Sequence, residues 1–520
     1  MSKMNSALAG SLLPSLLIFG IFVCFACAGE DSGPGRMVTS GIEKMPLDDG
    51  EITNAIDIEL LLDSGVSSHL IDVETKEGIV TLSGSVDNIL AKERAERIAE
   101  TIRGVRSVVN MITVEPVDRK DGDIRQDIQS ALLMDPAADS YEVGVEVDNG
   151  KVTLTGSVES WAEKRLCAHV AKGVKGVKDL ENDIRIVYET DRMDSEIKAD
   201  IERQLEINPL IDEGLIEVKV EDHKVTLSGT VGSSMEKTRV YNTSWVAGVD
   251  DVDDSALEVK FWAKDENQRE MTVLKDDEEI EDAVKDAFLY DPRVLSFKID
   301  VDADNGLVTL DGEVDNLKAK KAAEQDARNT IGVWSVENEI TVRPVSPLTD
   351  EEIADNVKDA LLWSPIVERF EITVVARNHK VYLYGKVDSE YEKMQAGDVA
   401  SRTNGVVAVE NNIEVEDVWT WKSDKEIKED IEQQLSWSIF VDDDDISVSV
   451  ENGIATLEGE VDSITELDSA IKDAFDGGAR RVVNRLTIDE SPDYYPDLYF
   501  RDYWWPYWPT WPHIPPMWPY

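Results

Sequence analysis

A short phrase ending in glycine is written six times along this chain: Thr81-Leu82-Ser83-Gly84, Thr153-Leu154-Thr155-Gly156, Thr226-Leu227-Ser228-Gly229, Thr309-Leu310-Asp311-Gly312, Tyr382-Leu383-Tyr384-Gly385 and Thr456-Leu457-Glu458-Gly459. The step between copies is roughly 73 residues, lengthening to about 83 before the fourth, a domain-sized period rather than a solenoid turn. The chain is therefore one small domain duplicated in tandem.

The residues around each phrase spell helix, strand, strand, helix, strand. Apolar residues at i, i+4 and i+8 mark one face of a first helix: Ile52/Ile56/Leu60, Ile124/Ile128/Leu132, Ile197/Ile201/Leu205, Ile280/Val284/Phe288, Ile353/Val357/Leu361 and Ile427/Ile431/Leu435. Alternation such as Val143, Val145, Val147 then predicts a half-buried strand. It turns at Asn149-Gly150, Asn305-Gly306 or Asn452-Gly453, a dipeptide suited to a two-residue hairpin, and the phrase is the return strand.

A second helix follows the next valine (Val86, Val158, Val231, Val314, Val387, Val461). Its sheet-facing residues are small: Ala95, Cys167, Val240, Ala323, Ala396 and Ala470 share one position, with Ala99, Ala171, Ser244, Ala327, Ala400 and Ala474 one turn on. The helix is expected to stop at Gly104, Gly176, Gly248, Gly332, Gly405 or Gly478, and a last strand follows. The fold class is α+β, with six α-β-β-α-β units at 50–116, 122–188, 193–260, 277–344, 350–416 and 424–489. Around them lie a signal segment (1–28), linkers (29–49 and 261–276) and a tail (490–520).

The "VTLSG-x-V" return strand, the alanine-containing second helix and the "GV-x-x-V-x-N" entry to the last strand (Gly104-Val105, Val108, Asn110; Gly332-Val333, Val336, Asn338) resemble the BON domain of bacterial envelope proteins. The resemblance spans all six units; units three and six depart, with Asp254 in place of the asparagine and Gly478-Ala479 in place of Gly-Val. It implies a mixed three-stranded sheet against two helices, an envelope location and a role in binding phospholipid, without catalysis. As a scaffold signature it carries fold further than function.

Lys3, an apolar run from Leu8 to Phe25 and the small residues after it form an export signal. Cleavage after Ala26-Cys27-Ala28 and lipidation at Cys27 are competing readings, which give a periplasmic protein or a membrane-anchored lipoprotein. Cys167 alone lies in the repeats, where it replaces an alanine, so it reads as a buried small hydrophobe rather than a nucleophile.

His223 and His379 occupy the hairpin-turn position, and His69, His169 and His513 are scattered, so no metal or catalytic cluster is spelled. No catalytic residue, cofactor or metal site is expected. Asp300, Asp302 and Asp304 with Gly306 approach a calcium-loop spacing, but the glycine falls one place late, and the aspartates read as an exposed strand face. Asp442 to Asp445 likewise read as a hydrated connection with unspecific affinity for divalent cations.

A formal charge of −54 argues against nucleic acid as a partner and, on average, against anionic lipid. A local basic patch still acts within the screening length. The second helices of units one and two supply one, with Lys92, Arg94, Arg97, Arg103 and Arg106, then Lys164, Arg165, Lys172, Lys175 and Lys178. It reads either as a lipid contact or as a solvated face relieved by Glu93, Glu96 and Glu163. The tail, crowded with Trp and Pro, favours an extended path. Trp504, Trp505, Trp508, Trp511 and Trp518 would there meet a bilayer interface, a glycan or a protein groove, or fold back on the units.

Together these features lead to an exported, non-enzymatic protein that binds membrane phospholipid or scaffolds envelope protein. The alternative is a soluble periplasmic interaction module of osmotic stress. The oligomeric state is left open.

Overall fold

Each unit opens with a helix whose first residue is aspartate: Asp49–Leu62, Asp121–Met134, Asp194–Glu206, Asp277–Tyr290, Asp350–Trp363 and Asp424–Trp437. The computed structural model describes residues 47–135, 143–188, 192–264, 276–291, 293–294, 298–344, 348–367, 372–415, 422–488 and 498–500. The opening aspartate clasps the hairpin turn of its own unit. Asp49 accepts the amides of Glu77 and Gly78 at 2.8 and 2.9 Å, and Asp121, Asp194, Asp350 and Asp424 repeat this bond pair. The turn's amides gain an acceptor, and the carboxylate sits at a helix N-terminus where negative charge is favoured. These bonds hold the carboxyls of Asp49 and Asp350 below their usual range.

In every sheet the return strand is central, antiparallel to the first strand and parallel to the last, as with Val143–Asp148, Lys151–Val158 and Asp179–Ile186 in unit two. His223 and His379 stand at φ of 64° and 63°, in the turn position filled by Gly150 and Gly306 at 79° and 77°. The phrase glycine has a steric cause: Gly84 has φ of 115°, and a Cβ there would lie 2.0 Å from the carbonyl oxygen of Leu70. The motif asparagine is a staple between layers. Asn110 donates to the Lys92 carbonyl of the second helix at 2.9 Å and accepts the amide of Ile112, and Asn182, Asn338 and Asn411 do the same.

The predicted apolar stripes form one core per unit, with Ile52, Ile56 and Leu60 against Val80, Leu82, Ala95 and Ala99 in the first. Cys167 is fully buried in the second. The second helices run Ile89–Glu100, Trp161–Lys172, Ser234–Thr243, Leu317–Arg328, Glu390–Ser401 and Ile464–Asp476. In units one to five they end several residues before the glycine expected to stop them, because a turn such as Thr101–Arg103 intervenes before Gly104 takes up its φ of 99°. Beyond the six units, Leu498–Phe500 pairs antiparallel with Arg481–Val483 as an edge strand of the last sheet.

The units are not beads on a string, since all six belong to one compact body. Glu100 of unit one accepts the hydroxyl of Thr238 in unit three at 3.1 Å. Trp245 of unit three stacks on Trp161 of unit two, and Lys172 of unit two pairs with Glu93 of unit one at 2.5 Å. The C-terminal end of each second helix in units one to three thus meets the first half of another, closing a cycle of three. Units four to six follow the same scheme: Arg328 and Asp468, at the repeat positions of Glu100 and Thr238, pair at 2.6 Å. Leu317 enters the core of unit five as Ile89 enters that of unit two.

Two further sets of contacts join the cycles. In one, the amides of Arg103, Lys175 and Ile331 donate at 2.9 Å to the carbonyls of Trp437, Trp363 and Ile207, linking units one to six, two to five and four to three. In the other, Tyr391 covers Arg94, Lys318 pairs with Asp135 at 2.8 Å and Met235 packs with Ile439, linking five to one, four to two and three to six. Two triads joined by two sets of equivalent pairs have the pattern of a dihedral hexamer, written here in one chain.

Candidate functional site

Small residues place one face of each second helix on its own sheet, and the charged opposite face is what the other units cover. Arg94 is 3% exposed, with its guanidinium on both Asp63 oxygens at 2.7 and 2.8 Å and the Tyr391 ring over it at 4.3 Å. Arg103 is half-buried against unit six, donating to the carbonyls of Ser438 and Val441 at 3.2 and 3.1 Å and pairing with Asp443 at 3.4 Å. Arg165 donates to Asn242 at 2.8 Å and lies over the Trp161 ring at 4.6 Å. Arg97 and Lys92 are half-buried, and the backbone carbonyl of Lys92 takes the asparagine staple.

The structure therefore corrects the expectation of an exposed basic patch. Arg94, Arg97 and Arg103 do not form a solvated face, because their charges are placed where unit meets unit. Trp504, Trp505, Trp508, Trp511, Trp518 and Cys27 lie outside the described residues. Asp300, Asp302 and Asp304 stand on the exposed side of their strand as expected. Asp443, from the acidic run, serves a seam. Among the described residues, no group of three or more His, Cys, Asp and Glu side chains is placed to hold a metal ion.

Crowding displaces the titration of the seam residues. Burial, with Glu96 adding to it, pushes the Glu100 carboxyl up to about 8. Burial lowers Arg239 to about 9 and Lys472 to about 8, and raises Asp473 to about 7. Burial, and then the cations Arg402, Lys172, Arg97 and Lys318, hold His169 well below the usual imidazole range. Glu59, Gln434, Trp437, Lys472 and Asp473 line a small polar cavity between units one and six. The placement of Glu100, His169, Lys472 and Asp473 suits joining units, since each is buried beside side chains of another unit, Thr238, Arg402 and Glu59 among them. Sequence periodicity marked the second helices but not what covers them. The one available signal was the presence of Trp161, Tyr391 and Trp437 at positions that a small exposed helix would leave polar.

The family model of the BON domain matches residues 48–116, 120–188, 193–260, 276–344, 349–417 and 423–490. The chain belongs to the BON-domain family. Among relatives of this BON-domain protein, the osmotically-inducible protein Y of Escherichia coli is 33% identical over 162 residues, which cover 29% of this chain and 80% of that one. The outer membrane lipoprotein DolP of Haemophilus influenzae is 30% identical over 139 residues, covering 26% of this chain and 72% of that one. The C-terminal domain of CdsD, from the type III secretion system of Chlamydia trachomatis, aligns at 17% identity and a TM-score of 0.12 over 44% of this chain and all of that domain. The relatives' names are those of envelope and osmotic-stress proteins. Among the described residues, no helix is long and apolar enough to cross a membrane.

Proposed function

We propose that this BON-domain protein is an exported, non-enzymatic binding protein of the cell envelope, of the osmotic-stress type, which works as one six-unit body without lipid contact through its second helices. The observation that carries this reading is the burial of Arg94 and the seam placement of Arg103. The cations best suited to an anionic bilayer hold unit to unit, and the chain's net charge of −54 is left to dominate the exterior. Its relatives' names place them at the envelope or tie them to osmotic induction.

A second reading keeps membrane contact but assigns it to the tail, whose tryptophans suit a bilayer interface. Flotation with phosphatidylglycerol vesicles separates the two. The first reading expects no flotation of intact protein. Flotation lost on truncation after Ile488 supports the tail, and flotation that survives truncation but is abolished by salt contradicts the first reading.

A further inference from the structure

Six copies of one sheet provide an internal control: what five copies lack, the fold does not require. Three outward positions of the return strand are small or acidic in five units: Thr81/Ser83/Ser85, Thr153/Thr155/Ser157, Thr226/Ser228/Thr230, Thr309/Asp311/Glu313 and Thr456/Glu458/Glu460. In unit five they are Tyr382, Tyr384 and Lys386. Neighbouring strands place Val375 and Glu410 beside Tyr382, Thr373 and Asn412 beside Tyr384, and Arg377 beside Lys380.

Tyr384 is 45% exposed, although a tyrosine ring would gain by burial. Lys380 lies 5.1 Å from the Tyr382 ring centre and pairs with Glu410 at 2.6 Å. Two outward rings, roughly 7 Å apart along one strand, form a flat apolar strip edged by hydroxyl and amide groups. Arg377, Lys380 and Lys386 share this face with Glu410 and Glu414, whereas unit four presents Asp300, Asp302, Asp304, Asp311, Glu313, Glu337 and Glu339 on its own.

We infer that the outward face of unit five is a binding platform for an acidic polysaccharide. Sugar rings have apolar faces that lie on aromatic rings and hydroxyl edges that reach Thr373 and Asn412, and a carboxylate on the chain meets Arg377 or Lys386. On a protein of net charge −54, an anionic chain is repelled elsewhere, and screening lets the local cations decide at this face. The small cation excess suits a polymer with widely spaced charges. A nucleic acid strand, with a phosphate about every 3.4 Å, asks for more cations than the face holds. A bilayer asks for apolar side chains that protrude, and this face is a flat strip. Choosing a polysaccharide rests on the envelope location proposed above.

The test is titration of the full chain with a hyaluronan octasaccharide, which carries one carboxylate per disaccharide, against neutral chitohexaose and oligothymidylate. The grafts borrow residues that sibling sheets already accommodate. Tyr382→Thr, Tyr384→Ser and Lys386→Ser together give unit five the residues of unit one, and Thr81→Tyr, Ser83→Tyr and Ser85→Lys give the reverse. The expected result is hyaluronan binding by the wild type, weakened at least tenfold by the first graft and strengthened by the second. Absence of wild-type binding, indifference to the first graft, equal binding of chitohexaose or a preference for oligothymidylate would each overturn the inference. Cell fractionation reports separately on the location, so a protein found in the envelope that ignores hyaluronan leaves that reading standing.

Discussion

Trp161 and Trp245 lie stacked across the boundary between units two and three, with ring centres 5.1 Å apart and planes 2° from parallel, and the guanidinium of Arg165 covers Trp161. Neither ring belongs to the shared unit pattern, because their repeat positions hold residues as unlike as Ser234 and Lys172. The stack is a seam contact. Trp245→Ala should destabilise the body by about 2 to 4 kcal/mol. A double-mutant cycle with Trp161→Ala, read by urea denaturation, should give a coupling of about 0.5 to 1.5 kcal/mol. Additive effects would mean that the rings do not meet.

The phrase glycine should resist every other residue. A Cβ at Gly84 would sit 2.0 Å from the Leu70 carbonyl, whereas nothing lies within 4 Å of one at Gly122. Gly84→Ala should therefore cost about 3 kcal/mol or more, and Gly122→Ala, on a helix, should be neutral or stabilising by up to about 1 kcal/mol. Equal denaturation midpoints for the two variants would contradict this reading.

Cys167 should react slowly with a thiol reagent in the native protein and quickly in denaturant, because it is fully buried in the core of unit two. Cys167→Ala should be mild, and Cys167→Asp should cost about 3 kcal/mol or more through burial of a charge.

The seams should make stability depend on pH. Burial, reinforced by Glu96, pushes the Glu100 carboxyl up to about 8 in the folded protein, against an ordinary value of 4.5. A raised carboxyl binds its proton more tightly in the native state, so its contribution is fully present below 4.5 and is lost as pH rises through 8. Glu100→Gln should flatten the fall in denaturation midpoint across that window relative to wild type. An unchanged slope would mean that Glu100 is not held between units one and three.

The unit itself was legible because its determinants are local and repeated. The i, i+4, i+8 stripe beginning at Ile52, the Asn149-Gly150 hairpin and the alanine face of the second helix each specify one element without outside help. The opening aspartates were harder to see, because Asp49 acts on Glu77 and Gly78, 28 and 29 residues later. The seams were out of reach, since Arg94 reads the same in a sequence whether it meets solvent, lipid or Tyr391 of a unit far along the chain. Periodicity reports that a face is charged, and only tertiary placement says what that charge faces.

Six units close into one body, and the seam between the first and the last shows that closure most plainly. Arg103 and Asp443 pair at 3.4 Å although they are 340 residues apart. Spin labels at Arg106→Cys and Asp444→Cys, both exposed positions beside that pair, report its closure by double electron–electron resonance. Closure predicts a single short and narrow distance that broadens and lengthens only when the whole protein unfolds. A broad, long distribution in native buffer would contradict it and return the chain to six independent beads.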